Sequence, residues 1–130
     1  MVTQEWVNDV LKKIGDRHLK REYKNGWSED NPTYGYCYIF SEFLYHFVYL
    51  DSEPYYIAMP DGITHWYLKS GDEIIDFTGV QFEKEPDYSQ GKRNPFFTGS
   101  YETARGKISK RGYNLTLDII SILLEKTNSG

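Results

Sequence analysis

Cysteine is nearly absent: Cys37 is the only one in 130 residues, beside 2 methionines and 3 histidines. A single thiol excludes an intrachain disulfide and fits a reducing compartment, so a cytoplasmic location is expected. Paired Cys or His at the short spacings of zinc sites are missing, so no metal site and no cofactor are expected. No apolar run approaches the roughly 20 residues that a membrane span needs, so no membrane partner is expected. The start, MVTQEWVNDVLKK, carries acidic residues and lacks a continuous apolar stretch, unlike a secretory signal. Basic residues are not in excess either. Lys and Arg number 15 against 19 Asp and Glu, a net charge of -4, and that balance does not favour a nucleic-acid partner. Internal repeats and low-complexity segments are missing as well.

What is present suits one folded domain over 1-130. Hydrophobic residues make up 39% and charged residues 26%, a balance that disfavours disorder. Aromatics reach 17%, with 12 tyrosines, enough to pack both a core and its rim with amphipathic rings.

Periodicity divides the chain into elements. Trp6, Val7, Val10, Leu11 and Ile14 share a helical face, with Thr3 as N-cap and Gly15 as stop. A polar stretch follows to Tyr34, with Asn25-Gly26 and Asn31-Pro32 as turns. Ile39, Phe40, Phe43, Leu44, Phe47 and Val48 then form the apolar stripe of a second helix, with Cys37 in its first turn. Pro54 to Met59, Ile63 to Lys69 and Glu73 to Phe77 read as three strands. Pro60-Asp61-Gly62 and Ser70-Gly71-Asp72 are the turns of an antiparallel meander. Pro95-Phe96-Phe97 reads as a short apolar element that reaches back to the core. Tyr101 to Lys110 is expected to be helical and to stop at Gly112. Asn114 is the expected N-cap of a last helix over Leu115 to Lys126, and Thr127 to Gly130 is expected to fray. The fold class is therefore α+β, with N-terminal helices packed on a small antiparallel meander and helices at the C-terminal end.

Three residue types in this pattern point to thiol chemistry. Amide groups at a helix start favour an anion, and a thiol there gains thiolate character. His65 and Asp76 lie across the Ser70-Gly71-Asp72 turn. If the turn closes at residues 70 and 71, they sit opposite each other, with Cβ atoms about 4.5–5.5 Å apart. An imidazole held by a carboxylate can take a proton from a thiol and return it to a leaving group. A one-residue shift of the hairpin would put Asp76 on the wrong face. The oxyanion of such a reaction needs donors. The backbone N–H of the cysteine is one, and Asn25, Ser28 and Asn31 are upstream side chains available as another, with Asn31 preferred.

The segments WSEDNPTYGYC, THW and DFTGVQF resemble the YunG-like family of small bacterial and phage proteins. The shared positions are Trp27, Asn31, Pro32, Gly35, Cys37, His65, Asp76, Thr78, Gln81 and Phe82, spanning Trp27 to Phe82. The order Cys, His, Asp also resembles papain-like and transglutaminase-like thiol enzymes, as well as NlpC-type and bacteriocin-processing peptidases. The resemblance implies a papain-like domain with a Cys37–His65–Asp76 triad, cysteine on the helix and the other two on the sheet. It implies hydrolysis or acyl transfer at an amide or thioester and does not name the substrate, for which a protein or peptide amide is one candidate. Two other readings are a catalytically silent module that occludes a host or partner protein, and a protein deamidase-type effector using the same triad. Peptidases of this class often carry a glutamine upstream of the cysteine, and none stands between Gly15 and Tyr36.

Each of these residues also has a plainer role. A lone cysteine is commonly a small buried hydrophobe, and a lone histidine is commonly part of a core. Asp76 can cap the turn that follows it. Thr78 and Gln81 can bond locally and hold Asp76, or line the cleft. Trp27 can shelter the Cys–His pair or pin its loop to the core. Trp66 is expected on the strand face opposite His65, so that one of the two faces the core and the other faces cleft or solvent. His46 is read as structural or solvent-facing, and His18 as part of an exposed charged run. Arg105, Lys107, Lys110 and Arg111 read as a solvated helix face, or as a docking patch for an acidic or phosphate-bearing partner.

Overall fold

The computed structural model describes residues 2–96 and 99–128, the last two through their backbone. Among the described residues, four α-helices and two antiparallel sheets make up an α+β fold. Helix α1 (Gln4–Ile14) starts where the Thr3 hydroxyl accepts the Trp6 N–H at 3.1 Å, and it stops at Gly15, whose φ of 72° suits glycine. Helix α2 (Arg21–Lys24) is one turn inside the stretch expected to be polar loop. Helix α3 (Cys37–Phe47) starts at the cysteine.

Ile39, Phe40, Phe43 and Leu44 of α3 are buried against Val7, Val10, Leu11 and Ile14 of α1 and against Leu68 and Ile75 of the sheet. Each such side chain removed from water contributes about 1.5–3 kcal/mol. The stripe ends earlier than expected. Val48 caps α3, the amides of Val48 and Tyr49 both close on the Leu44 carbonyl, and Phe47 and Val48 face solvent.

The main sheet has the order β3-β2-β1-β4, from β1 (Glu53–Ala58), β2 (Thr64–Ser70), β3 (Glu73–Ile75) and β4 (Lys92–Arg93). The meander matches the sequence reading. β4 is additional: two residues of the expected polar loop pair with Tyr55 and Tyr56. Between β2 and β3 only Gly71 has positive φ, at 59°, which is the type II′ pattern of a two-residue hairpin loop.

The C-terminal third departs from the expectation. Tyr101 to Lys110 is not a helix. It holds a hairpin, β5 (Tyr101–Thr103) and β6 (Gly106–Ile108), with Ala104 and Arg105 at its tip. Gly106 has φ 110°, which a helix cannot accommodate, and the Thr103 hydroxyl accepts the Arg105 N–H and donates to the Gly106 carbonyl. The tip aims Arg105 at the end of α3. There it donates to the carbonyls of Tyr45, Tyr49 and Ser52 and lies 3.8 Å from the centre of the Tyr45 ring. A cation at a helix C-terminus complements the dipole, so Arg105 is not part of a solvated helix face.

Helix α4 (Lys110–Asn128) starts before the Asn114 cap expected for it and runs through Gly112, the expected stop of the preceding helix. Ser109 caps it, its hydroxyl accepting the Gly112 N–H at 3.1 Å. Gly112 lies inside the helix because the buried Glu42 carboxyl packs on it. A Cβ there would stand 2.6 Å from Glu42 Oε1. The helix continues through Thr127 and Asn128, where fraying was expected, while Phe97, Ser129 and Gly130 lie outside the described residues.

His18 is not exposed. Its side chain is largely buried and pairs with Asp118 of α4, tying the loop after α1 to that helix. His46 is buried and bonds the Thr103 hydroxyl at 2.6 Å, a structural role. Among the described residues, no helix is long and apolar enough to cross a membrane.

Candidate functional site

Hairpin geometry decides where Asp76 lies. The register pairs Ser70 with Glu73 and Leu68 with Ile75, so the closing loop is Gly71-Asp72. The expected direct pairing of 65 with 76 does not occur. Continued by one step, this register sets Asp76 across from Tyr67, two residues from His65. A two-residue offset preserves the face, whereas an offset of one would reverse it. Asp76 therefore reaches diagonally, and its Oδ2 accepts from His65 Nε2 at 2.7 Å.

The carboxylate is held from all sides. Oδ1 accepts the backbone N–H groups of Thr78 (3.2 Å) and Gly79 (2.9 Å) and the Thr78 hydroxyl (3.4 Å). Oδ2 accepts the Tyr88 hydroxyl at 2.7 Å as well as the imidazole. Gly79 must be glycine for this: a Cβ would stand 2.6 Å from Asp76 Oδ2 and 3.0 Å from the Tyr88 hydroxyl.

The imidazole has no exposure to solvent. His65 and Tyr67 share one face of β2, while Trp66 and Leu68 share the other, on which α3 packs. The segment after β3 roofs the His65 face, with the Phe82 ring edge-on at 5.0 Å. His65 and Trp66 thus take opposite faces as expected, with His65 covered and Trp66 lining the cleft described below. Beyond Tyr67, β2 continues to Thr64 with no partner from β3. Cys37 approaches there, its thiol 3.7 Å from the Thr64 carbonyl.

With Nε2 taken by Asp76, His65 Nδ1 is the nitrogen left for the thiol. It makes no hydrogen bond of its own. Burial pushes the His65 pKa down. The bond to Asp76 and the neighbouring Cys37 outweigh it, and the ring is held at about 9.

No family model, no curated protein and no solved structure matches this chain. The chemistry of the site is therefore argued from its own geometry.

Cys37, half-buried, opens onto a cleft of about 830 Å³. Tyr34, Tyr38, Trp66 and Phe82 give it aromatic walls, and Asp61 to Thr64 form one rim. Lys20, Lys110 and Arg111 supply positive charge on another side. The cleft thus exposes the thiol and leaves the imidazole behind it. The Cys37 amide belongs to the first turn of α3, where N–H groups have no helical acceptor. It can receive an oxyanion that forms next to the sulfur.

The other sequence candidates serve the scaffold. Asn31 Nδ2 donates to the Gln81 carbonyl at 3.1 Å, and Asn31 does not line the cleft. Gln81 lines it, but both ends of its amide are engaged, accepting from the Gly35 N–H and donating to the Thr78 carbonyl. Thr78 is buried under Asp76. Trp27 donates to the Pro32 carbonyl at 2.8 Å and packs against the core. Together these bonds brace the 27–37 loop against the 78–82 turn, fixing the thiol relative to the carboxylate.

Tyr88, Gly79 and Lys20 were not found from sequence. Tyr88 carried one signal, as the lone aromatic of the polar stretch from Glu83 to Asn94. Gly79 and Lys20 carried none. Among the described residues, no group of three or more His, Cys, Asp or Glu side chains is placed to hold a metal ion.

Proposed function

We propose that this α+β chain is a papain-like, thiol-dependent hydrolase or acyltransferase acting on an amide or thioester. Cys37 is the nucleophile, His65 the general acid and base, and Asp76 the orienting carboxylate. The observation that carries this reading is the buried imidazole bound through Nε2 to Asp76, with its second nitrogen left to the one thiol on the cleft.

A ring held protonated beside a sulfur favours the thiolate–imidazolium pair. The sulfur attacks the acyl carbon, and the Cys37 amide receives the oxyanion. His65 gives its proton to the departing amine or thiol, leaving an acyl thioester on Cys37. Water or an amine then gives up a proton to His65 and attacks that thioester, releasing the acyl group and restoring the thiol.

The test is intact-protein mass spectrometry after mixing with a peptide thioester. An acyl adduct on Cys37, absent from Cys37→Ala and slower to form in Asp76→Asn, is the expected result. Iodoacetamide alkylation followed against pH supplies the control. A Cys37 that forms no adduct and alkylates with the pH profile of free cysteine refutes the proposal.

A further inference from the structure

We infer that the cleft takes an acyl substrate bearing a carboxylate close to the acyl carbon, received by the Arg111 guanidinium. This rests on Cys37 being the nucleophile, and it names the substrate class.

The chain carries a net charge of -4, yet the cleft lining holds Lys20, Lys110 and Arg111 against one acid, Asp61. Position is more telling than count. Lys110 and Arg111 open α4, whose first turn has no acidic residue. Cations at the positive end of a helix dipole are unfavourable by a few tenths of a kcal/mol or more, so the helix dipole does not explain them.

Arg111 is half-buried, and its Nε donates to the His18 carbonyl at 3.0 Å. Among the described residues its terminal nitrogens donate to no acceptor, and it joins no ion pair. The acids that act on its charge, Glu42 and Glu22, make no ion pair with it. Glu42 accepts from Ser109 twice, and Glu22 sits on exposed α2. Burial therefore pushes the Arg111 pKa down, with Glu42, Tyr36 and Cys37 opposing. A guanidinium with two free terminal nitrogens, lining the same cleft as the thiol, suits a bidentate carboxylate. The aromatic walls suit the apolar remainder of a peptide.

The experiment compares alkylation of the full chain by iodoacetate and by iodoacetamide. Sulfur attacks the same CH2 carbon in both and expels iodide, so the reagents differ in charge. An ordinary thiolate reacts more slowly with the anion because like charges repel. Here iodoacetate is expected to be favoured relative to free cysteine, by roughly tenfold on the scale of a charged hydrogen bond. Arg111→Gln should abolish that preference, read as the ratio of the two rates, in which any change in thiolate reactivity common to both reagents cancels. Lys110→Glu, at an exposed site, should reduce it if Arg111→Gln fails to fold.

Glutarate should protect Cys37 from iodoacetamide in the native chain and not in Arg111→Gln. Stronger protection by inorganic phosphate than by glutarate would overturn the carboxylate assignment. So would a reagent ratio equal to that of free cysteine and unmoved by both variants, and that outcome leaves the nucleophile standing. An iodoacetamide profile like that of a free thiol removes the nucleophile and this inference together.

Discussion

Asp76→Asn separates the role of the carboxylate from its shape. Oδ1 accepts two backbone N–H groups, so the amide oxygen must stay on that side. The NH2 then takes the Oδ2 position, facing the Tyr88 hydroxyl and His65 Nε2. The hydroxyl can rotate and accept. The imidazole can accept only by giving up its Nε2 proton, which places its remaining proton on Nδ1, facing the thiol. The variant thereby loses the base it needs.

The magnitude follows from the His65 pKa. Its rise from 6.5 to about 9 corresponds to roughly 3 kcal/mol in favour of the protonated folded state. Because the folded value is the higher one, this stabilisation is fully present below pH 6.5 and is lost as pH rises through about 9. Urea unfolding at pH 6 should place Asp76→Asn up to about 3 kcal/mol below the native chain. The gap should narrow at pH 9.5. NMR of the ring should show His65 titrating below its native value, since burial then acts with less opposition. An unchanged gap at both pH values, or a ring still titrating near 9 in the variant, would refute the linkage between Asp76 and His65.

Gly79→Ala should disturb the same contact by bulk alone, since its Cβ meets Asp76 Oδ2 at 2.6 Å; the expected results are a lower His65 pKa by NMR and a lower Tm. Tyr88→Phe removes one donor from Asp76 Oδ2. It should cost about 1.5–3 kcal/mol in urea unfolding and raise the His65 pKa, because the carboxylate then bonds the ring more strongly; a fall would count against the proposed sharing. Gly112→Ala should destabilise the chain despite the roughly 1 kcal/mol of helix propensity it gains, because the new Cβ meets Glu42 Oε1 at 2.6 Å and Ile108 Cγ1 at 3.1 Å. A rise in Tm would mean that the Glu42 carboxyl moves aside freely.

The local pattern of the sequence determined α1, the cysteine-led start of α3 and the three-stranded meander. Each depends on neighbours three, four or two positions apart, and on caps and turns within the same segment. The α+β class follows from those elements. The C-terminal third departs from its sequence pattern for the opposite reason. Tyr101 to Lys110 is a hairpin because its tip delivers Arg105 to the end of α3, and Gly112 sits within α4 because Glu42 lies against it.

The site divides the same way. That Cys37 opens a helix, and that His65 and Asp76 flank a tight turn, was legible in the sequence. That they meet by a diagonal contact was decided by the loop closing at Gly71-Asp72, which sets the register. Tertiary structure alone brought Tyr88 to the carboxylate and made Gly79 its neighbour without a side chain. It also set Lys20, Lys110 and Arg111 around one cleft. Those contacts join residues far apart in the chain. Their energies depend on distance and burial, which no short window of sequence contains.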